Sequence, residues 1–520
     1  MQFDILISGG LVVDGTGAPP VLCDVGIRGD QIEDVGELSS CPAGIRIDAA
    51  GACVCPGFID THSHSDAYLL IEPSAPSKIH QGITTEVVGN CGASAAPLTG
   101  DYHMPSDWRD KSYPGTWSSV ADYRALLEKV QPAPNVVLLI GHNTLRVGVA
   151  GYENRKVTDE ELRQMIRLLE RSLDEGGRGL STGLIYPPGM FAPADEILRL
   201  ATVAARHGGI YTSHMRNEGG RVIEAIQEAV AIGREAGIRV QISHLKTSGR
   251  GNWNLIDHVL GTVRKAREDG VDAAADRYPY VFSSTDLDVV FPGWAQEGGP
   301  QAILKRLRNP ADRARLRDDT RRSRPDEAWA TIIIGSTRHP DNTRFRGLAL
   351  TEVARQLGVE SVEAVLHLVE TDEVGTGAFF GGMSEDNLMK ILAEPYVMIG
   401  TDASLRSPEG PLSHDYPHPR AYGSVPRFLR MALDGKTVAV AEAVRKMTSL
   451  PAGHFRLAGR GVLAKGMKAD IVIFDPAGVR DKASYAAPHQ LSEGIQHVLV
   501  NGVLTLSQGR LTGDRGGRFL

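Results

Sequence analysis

The sequence predicts an α/β protein: a (β/α)8 TIM-like barrel, a small β-sandwich domain built from both termini, and a helical insertion after strand 7. Three observations predict this architecture. Short apolar runs alternate with amphipathic helical patterns in the middle of the chain, both ends are rich in strands and turns, and one charged stretch interrupts the alternation. We therefore expect residues 1–55 and 457–520 to form the small domain and residues 56–456 to form the barrel.

The terminal segments have the pattern of short strands joined by tight turns. In FDILISGGLVVDGTG and VLCDVGIRGDQIEDVG, the pairs Gly-Gly, Asp-Gly and Gly-Asp separate apolar runs. The C-terminal segments KADIVIFDPAG and IQHVLVNGVLTLSQGRLTG share this pattern, and Asn501-Gly502 is a strong hairpin turn. A single β domain that takes strands from both ends explains the similarity most simply.

The middle of the chain alternates strand-like and helix-like segments. The strand candidates are the apolar runs GFIDTHSH, GITTEVVGNC, NVVLLIGHN, GLSTGLIY, GIYTSHMR, VQISHLK, VDAAADRYPY and YVMIGTDAS. Between them, patterns such as DEELRQMIRLLERSLDEG repeat apolar residues at three- and four-residue steps and stop at glycine. Eight strands with intervening helices predict a (β/α)8 barrel.

The alternation is interrupted between Phe291 and Arg344. This stretch is loop-rich and contains KRLRNPADRARLRDDTRRSRPDEAW, in which acidic residues are interleaved with arginine. Mixed charge indicates a solvated helical insertion, at about residues 291–344, rather than an arm that binds nucleic acid.

Composition excludes several classes of function. The chain has 520 residues, 42% apolar and 23% charged, with a formal net charge of −7, so it lacks the basic surface that nucleic acid or an anionic membrane would require. The N-terminus lacks the basic start and apolar core of a signal peptide, and no apolar stretch is long enough to span a bilayer. We expect a small-molecule partner.

The cysteines are few and odd in number, which argues against a disulfide framework and predicts a reducing, cytoplasmic location. They are Cys23, Cys41, Cys53, Cys55 and Cys91. Cys53 and Cys55 have the wrong spacing for a CxxC motif, and we expect both to be small buried residues of a strand.

Polar side chains able to bind a metal lie at the ends of five of the predicted barrel strands. In such barrels the active site forms at the C-terminal ends of the strands. Singly, each residue has an ordinary explanation: a core histidine, an inert buried cysteine or a helix N-cap. Together they predict one metal site, made of His62, His64, Cys91, His214, His244 and Asp402.

The chemistry of this set favours zinc. Imidazole, thiolate and carboxylate suit Zn²⁺, whereas Mg²⁺ and Ca²⁺ prefer shells made of oxygen. Zinc lowers the pKa of bound water to about 7, and a carboxylate beside that water can take its proton and later deliver it to a leaving amine. Asp402 fills this role best, so the sequence predicts metal-assisted hydrolysis of an amide.

The chain resembles the N-acyl-D-amino-acid deacylases (D-aminoacylases) of the amidohydrolase superfamily nearly from end to end. His-x-His at the first strand marks only the superfamily, while Asn-Cys-Gly, Ser-His-Met-Arg and His-Pro-Arg are more specific. The resemblance is carried by PGFIDTHSHSD, GITTEVVGNCGASAAPL, LSTGLIYPPGMFA, YTSHMRNEGGRVIEAIQEAVAIG, VQISHLK, DRYPYVFSST, HPRAYGSVPRFL, KMTSLPA and GMKADIVIFDPA.

The resemblance implies a zinc enzyme that hydrolyses the N-acyl amide of a D-amino acid, with Asp402 as general base and acid. It implies that Cys91 bridges two metal positions, in place of the carboxylated lysine that many superfamily relatives carry on strand 4. GRGLSTGLIY contains no lysine, in agreement with this. His214 and His244 would complete the tighter position, and His62, His64 and Asp402 would surround a second, weaker one.

The resemblance also implies substrate-binding roles for Lys246, Tyr278, Ser284 and Arg420, with Arg420 on the substrate carboxylate. A guanidinium offers a carboxylate two parallel hydrogen bonds. The ordinary alternatives are rim packing for Tyr278 and Ser284 and a surface ion pair for Arg420.

One segment departs from the family pattern. The loop at residues 403–419 is longer than is usual and contains His414, Asp415 and His418. A longer loop over the barrel mouth would change which substrate side chain is accepted.

Two alternatives stay open at this point. A cyclic-amide hydrolase of the hydantoinase or dihydroorotase type uses the same barrel, although such enzymes match this chain only at His-x-His and the termini. A metal-free scaffold protein is the other alternative, against which the presence of all six candidate ligands argues.

Overall fold

The protein, described here by a computed structural model for residues 2–100, 104–105, 108–109 and 111–520, begins with five strands. They are β1 (Phe3–Val12), β2 (Val21–Arg28), β3 (Gln31–Gly36), β4 (Ala43–Asp48) and β5 (Cys53–Pro56). β1 pairs antiparallel with β2 and parallel with β4 and β5. Branched residues such as Ile5, Val25 and Ile27 are buried together, which suits a sheet with one covered face.

Seven parallel strands of a barrel follow. They are β6 (Phe58–Asp60), β7 (Ile83–Val88), β8 (Asn135–Leu138) continued by β9 (Ile140–Gly141), β10 (Gly179–Gly183), β11 (Ile210–His214), β12 (Arg239–Ile242) and β13 (Ala273–Arg277). β8 pairs with β7 and β9 pairs with β10, so the third barrel strand joins two arcs of sheet. These strands are buried throughout except at Arg239, as expected where helices cover a parallel sheet.

Amphipathic helices connect the barrel strands. They are α1 (Pro76–Ile79), α2 (Val120–Val130), α3 (His142–Ala150), α4 (Asp159–Asp174), α5 (Ala194–Arg206), α6 (Val222–Ala236) and α7 (Ile256–Glu268). α4 begins at a capping box in which Thr158 accepts from the Glu161 N–H and Glu161 accepts from the Thr158 N–H. α6 ends at Gly237, whose φ of 66° suits glycine. Among the described residues, no helix combines the length and the apolar character needed to cross a lipid bilayer.

The segment after β13 differs from the predicted helical insertion at residues 291–344. It contains β14 (Ser283–Asp286), β15 (Ile332–Ile334) and β16 (Gly377–Phe380), which form an antiparallel sheet. Its helices are α8 (Gly293–Gln296), α9 (Gly299–Arg308), α10 (Pro310–Arg322), α11 (Asp326–Trp329), α12 (Leu350–Leu357) and α13 (Ser361–Thr371). The helices agree with the prediction, but the segment runs beyond both predicted ends, and strands of three or four residues are too short to show a period.

α14 (Glu385–Ala393) leads back to the eighth barrel strand, β17 (Val397–Ile399), which pairs with β13. The barrel closes where the Thr61 N–H donates to the carbonyl of Ile399 and Ser63 pairs with Ala403. The predicted (β/α)8 barrel is therefore confirmed, with all eight strands at the predicted runs.

The chain then returns to the first sheet. Helices α15 (Arg420–Leu433), α16 (Val440–Met447) and α17 (Ser449–His454) precede strands β18 (Ile471–Phe474), β19 (Ile495–Val500), β20 (Val503–Ser507) and β21 (Arg510–Leu511). β18 pairs antiparallel with β5, so both ends of the chain contribute to one sheet of nine strands. Cys53 and Cys55 are buried in β5, as predicted. The exact domain boundaries at 1–55 and 457–520 stay a prediction.

The interior of the barrel is filled at its lower end. Ile59, Val137 and Ile210 form a core there with Phe455 and Leu457, which follow α17. Because successive strand residues point to opposite faces, the interior position of Ile210 places His214 on the interior side at the upper end of β11. The apolar plug leaves the upper end for polar side chains.

Candidate metal centre and active site

The upper ends of the barrel strands form the floor of a cavity of about 2060 Å³. The segment between β13 and β17 contributes much of the facing wall, including Phe291 and Phe379. His62 is fully buried behind the floor. The other predicted metal-site residues line the cavity: His64, Cys91, His214, His244 and Asp402.

Four of these residues form one group. Nε2 of His62 lies 3.2 Å from Sγ of Cys91 and 3.4 Å from Oδ1 of Asp402. Nε2 of His64 lies 3.2 Å from the same carboxylate oxygen. One ligand atom from each of the four residues falls within 4.8 Å of all the others. This group brings together residues that follow strands β6, β7 and β17.

Cys91, His214 and His244 form a second group within the same limit of 4.8 Å. Nε2 of His244 lies 2.8 Å from Nδ1 of His214 and 3.6 Å from Sγ of Cys91. Cys91 therefore belongs to both groups, and its sulfur lies between two clusters of imidazole nitrogens.

The backbone is unusual at three of the six residues. Cys91, His244 and Asp402 have φ values of 53°, 36° and 49°, in the left-handed region that side chains other than glycine rarely adopt. Such a conformation costs about 1–3 kcal/mol per residue and persists where surrounding contacts impose it. At Asp402 one such contact is the backbone N–H, which donates to the carbonyl of His62 at 2.7 Å.

Asp276, at the end of β13, orients the ring of His62. Its Oδ1 lies 3.1 Å from Nδ1 of His62 and accepts from the His244 N–H at 2.9 Å, while Gln241 donates to Oδ2 at 2.6 Å. The carboxylate thus accepts a hydrogen bond from Nδ1–H of His62 and leaves the lone pair of Nε2 facing Cys91. Partners of metal-binding histidines commonly act in this way.

Glu218, in the loop after β11, lies behind the second group. Its Oε1 is 2.9 Å from Nδ1 of His244 and pairs with Nζ of Lys246. Asp276 and Glu218 are both absent from the residues predicted from sequence. A carboxylate at the end of an apolar strand was a signal for Asp276, but Glu218 lies in a loop, where periodicity gives no signal.

Electrostatics favour the anionic forms of Cys91 and Asp402. Burial would raise the pKa of the Cys91 thiol, but the charge of His62 and hydrogen bonds with His214 and His244 hold it well below its usual range. Burial would also raise the pKa of Asp402, but the guanidinium of Arg420, 2.7 Å from Oδ2, holds that pKa well below its usual range.

The donor set fits zinc. It offers a thiolate, imidazole nitrogens and a carboxylate, which are the ligands of protein zinc sites, whereas an all-oxygen shell would favour Mg²⁺ or Ca²⁺. Strand β10 has the sequence GLSTG and contains no lysine, in agreement with the expectation from the family resemblance. Cys91 is accordingly the side chain available to join two metal positions.

Three of the four predicted substrate-binding residues lie on the cavity wall. Lys246 follows β12, Ser284 lies on β14, and Arg420 starts α15. Arg420 is 4% exposed, donates to the carbonyl of Ser284 at 3.3 Å and pairs with Asp402. The alternative of a surface ion pair is therefore wrong for Arg420, because its ion pair is inside the site.

Tyr278 lies behind the wall. It is fully buried, and the guanidinium groups of Arg277 and Arg420 lie 4.2 Å and 4.5 Å from the centre of its ring. Its hydroxyl has no hydrogen-bond partner among the described residues. This placement agrees both with a packing role for the ring and with a hydroxyl that donates a hydrogen bond to a bound substrate.

The long loop at residues 403–419 forms one side of the cavity. Asp415 and His418 line it, and Asp415 lies 3.3 Å from Nζ of Lys111. Burial and the charge of Arg420 lower the pKa of His418 well below its usual value, so this ring is neutral. His414 is exposed on the outside, where its carbonyl accepts from Arg346. Two of the three polar residues singled out in this loop therefore face the cavity.

Comparison with known proteins gives consistent matches. The amidohydrolase family pattern matches residues 46–320 and 348–506. The chain is 37% identical to a D-aminoacylase and 38% identical to an N-acyl-D-glutamate deacylase, both of Alcaligenes xylosoxydans xylosoxydans. These alignments cover 100% of the chain and 97% and 96% of those proteins.

A solved structure matches equally completely. It is N-acyl-D-glutamate deacylase from Bordetella bronchiseptica, complexed with zinc and a phosphonate inhibitor that mimics the tetrahedral intermediate. The TM-score is 0.86 at 35% sequence identity, with 100% of both chains covered.

Proposed function

This chain belongs to the amidohydrolase family, and we propose that it is a zinc-dependent deacylase of N-acyl-D-amino acids. It hydrolyses the linear N-acyl amide bond and releases a carboxylate and a free D-amino acid. The observation that carries the proposal is the pair of ligand groups that share Cys91 on the cavity floor, in a chain that matches such deacylases along its whole length.

Cys91, His214 and His244 would hold the tighter zinc ion in this proposal. Cys91, His62, His64 and Asp402 surround the weaker second position. When bound, zinc polarises an amide carbonyl and lowers the pKa of water to about 7. The support for this assignment is the short distance among the donor atoms and the second contact that holds His62 and His244 in place.

Asp402 acts as the general base and then as the general acid. Its carboxylate is ionised because Arg420 holds its pKa low, so Oδ1 or Oδ2 can accept the proton of the attacking water. The same proton then passes to the amide nitrogen, which leaves as the amine of the D-amino acid. The buried position of Asp402 at the cavity floor keeps both transfers out of bulk water.

Arg420 binds the α-carboxylate of the substrate. It is buried at the wall beside Asp402, and its fork can pair with a carboxylate in two parallel hydrogen bonds. Lys246 and Ser284 contribute from neighbouring parts of the wall, and Tyr278 contributes its unpartnered hydroxyl. Placing the carboxylate at a fixed point positions the amide over the metal groups.

The enzyme works in the cytoplasm. Support comes from the five cysteines, none of which forms a disulfide, as is usual in a reducing compartment.

A stereochemical panel tests the proposed function. N-acetyl-D- and N-acetyl-L-forms of Leu, Met, Phe, Glu and Asp are assayed with the zinc-loaded enzyme, beside hydantoin and dihydroorotate. We expect cleavage of D-forms. Cleavage of L-forms alone would remove the D-amino-acid assignment, and turnover of the cyclic amides alone would favour the hydantoinase type. A folded preparation that binds no zinc would instead favour the scaffold alternative.

A further inference from the structure

Glu218 contacts a metal-site histidine and a substrate-site lysine at the same point. Oε1 of Glu218 lies 2.9 Å from Nδ1 of His244 and pairs with Nζ of Lys246. Nζ of Lys246 is itself 2.7 Å from the same Nδ1. The side chains of His244, Lys246 and Glu218 are 2%, 3% and 13% exposed, so water competes little for these contacts.

The two neighbours of Nδ1 favour opposite tautomers of His244. If Nδ1 carries the proton, it donates to Glu218, and Nε2 presents a lone pair toward Cys91 and His214. If Nδ1 is bare, it accepts from the Lys246 ammonium, and the proton sits on Nε2, where it blocks a metal. Glu218 and Lys246 therefore compete at one nitrogen of His244.

We propose that Glu218 is a positioning residue that holds His244 in its metal-binding tautomer and draws Lys246 away from Nδ1. This inference rests on the proposed function, since it takes His244 as a zinc ligand and Lys246 as a substrate-binding residue. Once Nδ1 carries the proton, Lys246 has only Glu218 as its partner in this group. Zinc binding is then coupled to the loss of the contact between Lys246 and Nδ1, which leaves Lys246 paired with Glu218 on the cavity wall.

The carboxylate is suited to this task. Its Oε1 forms an ion pair with Nζ of Lys246 and lies 2.9 Å from Nδ1 of His244, so an acceptor oxygen stands at the nitrogen that must carry the proton. It sits close to His244 without entering either ligand group, as an orienting partner of a metal-bound histidine does. Its position in the loop is fixed by its own carbonyl, which accepts from the Ser248 N–H.

The test is a chelator titration of the zinc-loaded enzyme, with retained zinc measured by elemental mass spectrometry. Glu218→Ala is expected to weaken zinc binding about 10–100-fold, as loss of an orienting partner does. Glu218→Gln keeps an acceptor oxygen and is expected to lose less. Lys246→Met is expected to bind zinc at least as tightly as the wild type, because it removes the competitor at Nδ1.

A positioning role predicts weaker zinc binding in Glu218→Ala and unchanged or tighter zinc binding in Lys246→Met. A merely structural role would weaken zinc binding in both variants. The matched control is Glu228→Ala. Glu228 lies on α6 and forms an ion pair with Arg216, which lies in the same loop as Glu218, and this pair does not involve His244. Its zinc affinity and Tm should stay near the wild type. If Glu218→Ala fails to fold, the comparison of Glu218→Gln with Lys246→Met decides in the same way.

Two results would overturn the inference: unchanged zinc affinity in Glu218→Ala, or a loss in Lys246→Met as large as that in Glu218→Ala. Either leaves the proposed function intact if the wild type binds zinc and cleaves N-acyl-D-amino acids. A wild-type enzyme without zinc would instead contradict the proposed function itself.

Discussion

Side chains of the metal groups are fixed by partners that do not belong to those groups. Asp276 holds His62, Glu218 holds His244, and the buried guanidinium of Arg420 holds Asp402. Buried charges need such partners, because a charge without one loses its hydration and gains nothing in return. The arrangement presets both the directions of the donor atoms and the ionised state of Asp402.

Asp402→Asn tests the proton-transfer role. Asparagine keeps the shape of the side chain but cannot accept and return a proton, so we expect turnover to fall about 10²–10⁴-fold. Zinc content should stay close to wild type, because Cys91, His214 and His244 remain. Wild-type kcat in this variant would remove Asp402 from the mechanism. Asp257→Asn, on the exposed side of α7, should change neither quantity.

Lys78→Met tests a buried charge cluster at the first barrel strand, β6. Nζ of Lys78 lies 2.8 Å from Asp60 and 3.1 Å from Glu86, and all three side chains are fully buried. Removing the cation leaves two carboxylates unpaired, so the free energy of unfolding should drop by about 3–5 kcal/mol. Urea unfolding measures this drop. The exposed control, Lys265→Met, should lie within about 0.5 kcal/mol of wild type, and an equal effect in both would refute the argument.

The segment at residues 480–493 fastens the long loop at residues 403–419. Tyr416 donates to the carbonyl of Tyr485 at 2.7 Å, and Nε2 of His489 donates to the carbonyl of Asp415 at 2.6 Å. Tyr422 donates to Nδ1 of the same histidine at 2.8 Å. A stretch near the C-terminus thus sets the position of one cavity wall.

His489→Ala should loosen this wall. Losing a hydrogen bond that fixes the loop costs about 1–1.5 kcal/mol, which corresponds to about a 10-fold loss in kcat/KM if the wall positions substrate. We expect most of the loss in KM, measured with the preferred N-acetyl-D-amino acid. His497→Ala, on β19, serves as the control. Equal kinetics in both variants would show that the wall does not contact substrate.

α17 closes the lower end of the barrel and carries a buried histidine. Burial lowers the pKa of His454 to about 4 from 6.5. Because the unfolded chain takes up the proton first, the stability that His454 contributes is complete above pH 6.5 and is lost as the pH falls toward 4.

Between pH 7 and pH 5, His454 should account for a loss of about 2 kcal/mol in unfolding free energy. Glutamine does not titrate, so the unfolding free energy of His454→Gln should fall between pH 7 and pH 5 by about 2 kcal/mol less than that of the wild type. Urea unfolding of both proteins at the two pH values measures the difference. Parallel losses in both would contradict the assignment.

Two of the separately packed regions of the molecule lie around one cavity. The segment between β13 and β17 has its own core, which includes Leu316, Ile332 and Val365, while the barrel packs around residues such as Val240 and Ile242. The metal groups belong to neither core. We therefore expect the zinc enzyme to fold without the metal.

Removal of zinc should abolish activity and leave the fold. Far-UV circular dichroism is expected to stay unchanged after chelation, and activity should return when zinc is added. Tm should fall, because a ligand at about 1,000 times its Kd stabilises the folded state by about 4 kcal/mol. Collapse of the helical signal on chelation would show that zinc is part of the folding core.

The sequence by itself determined the barrel, the strand-rich ends and the six residues that meet at the cavity floor or directly behind it. The spacing of apolar residues and the ends of strands are local signals in the sequence. Because active sites form at the upper ends of barrel strands, these signals predict that the six residues lie close together. The short strands of the insertion were not predicted, because three or four residues are too few to show an alternation of apolar and polar side chains.

Only the tertiary structure decided which groups orient the ligands and which surfaces enclose the substrate. Asp276 reaches His62 across 214 positions of sequence, Glu218 reaches His244 from the loop after β11, and Tyr485 reaches the loop at 403–419. These contacts arise from how strands and loops pack, and packing depends on distances between residues far apart in the chain. Local pattern contains no measure of those distances.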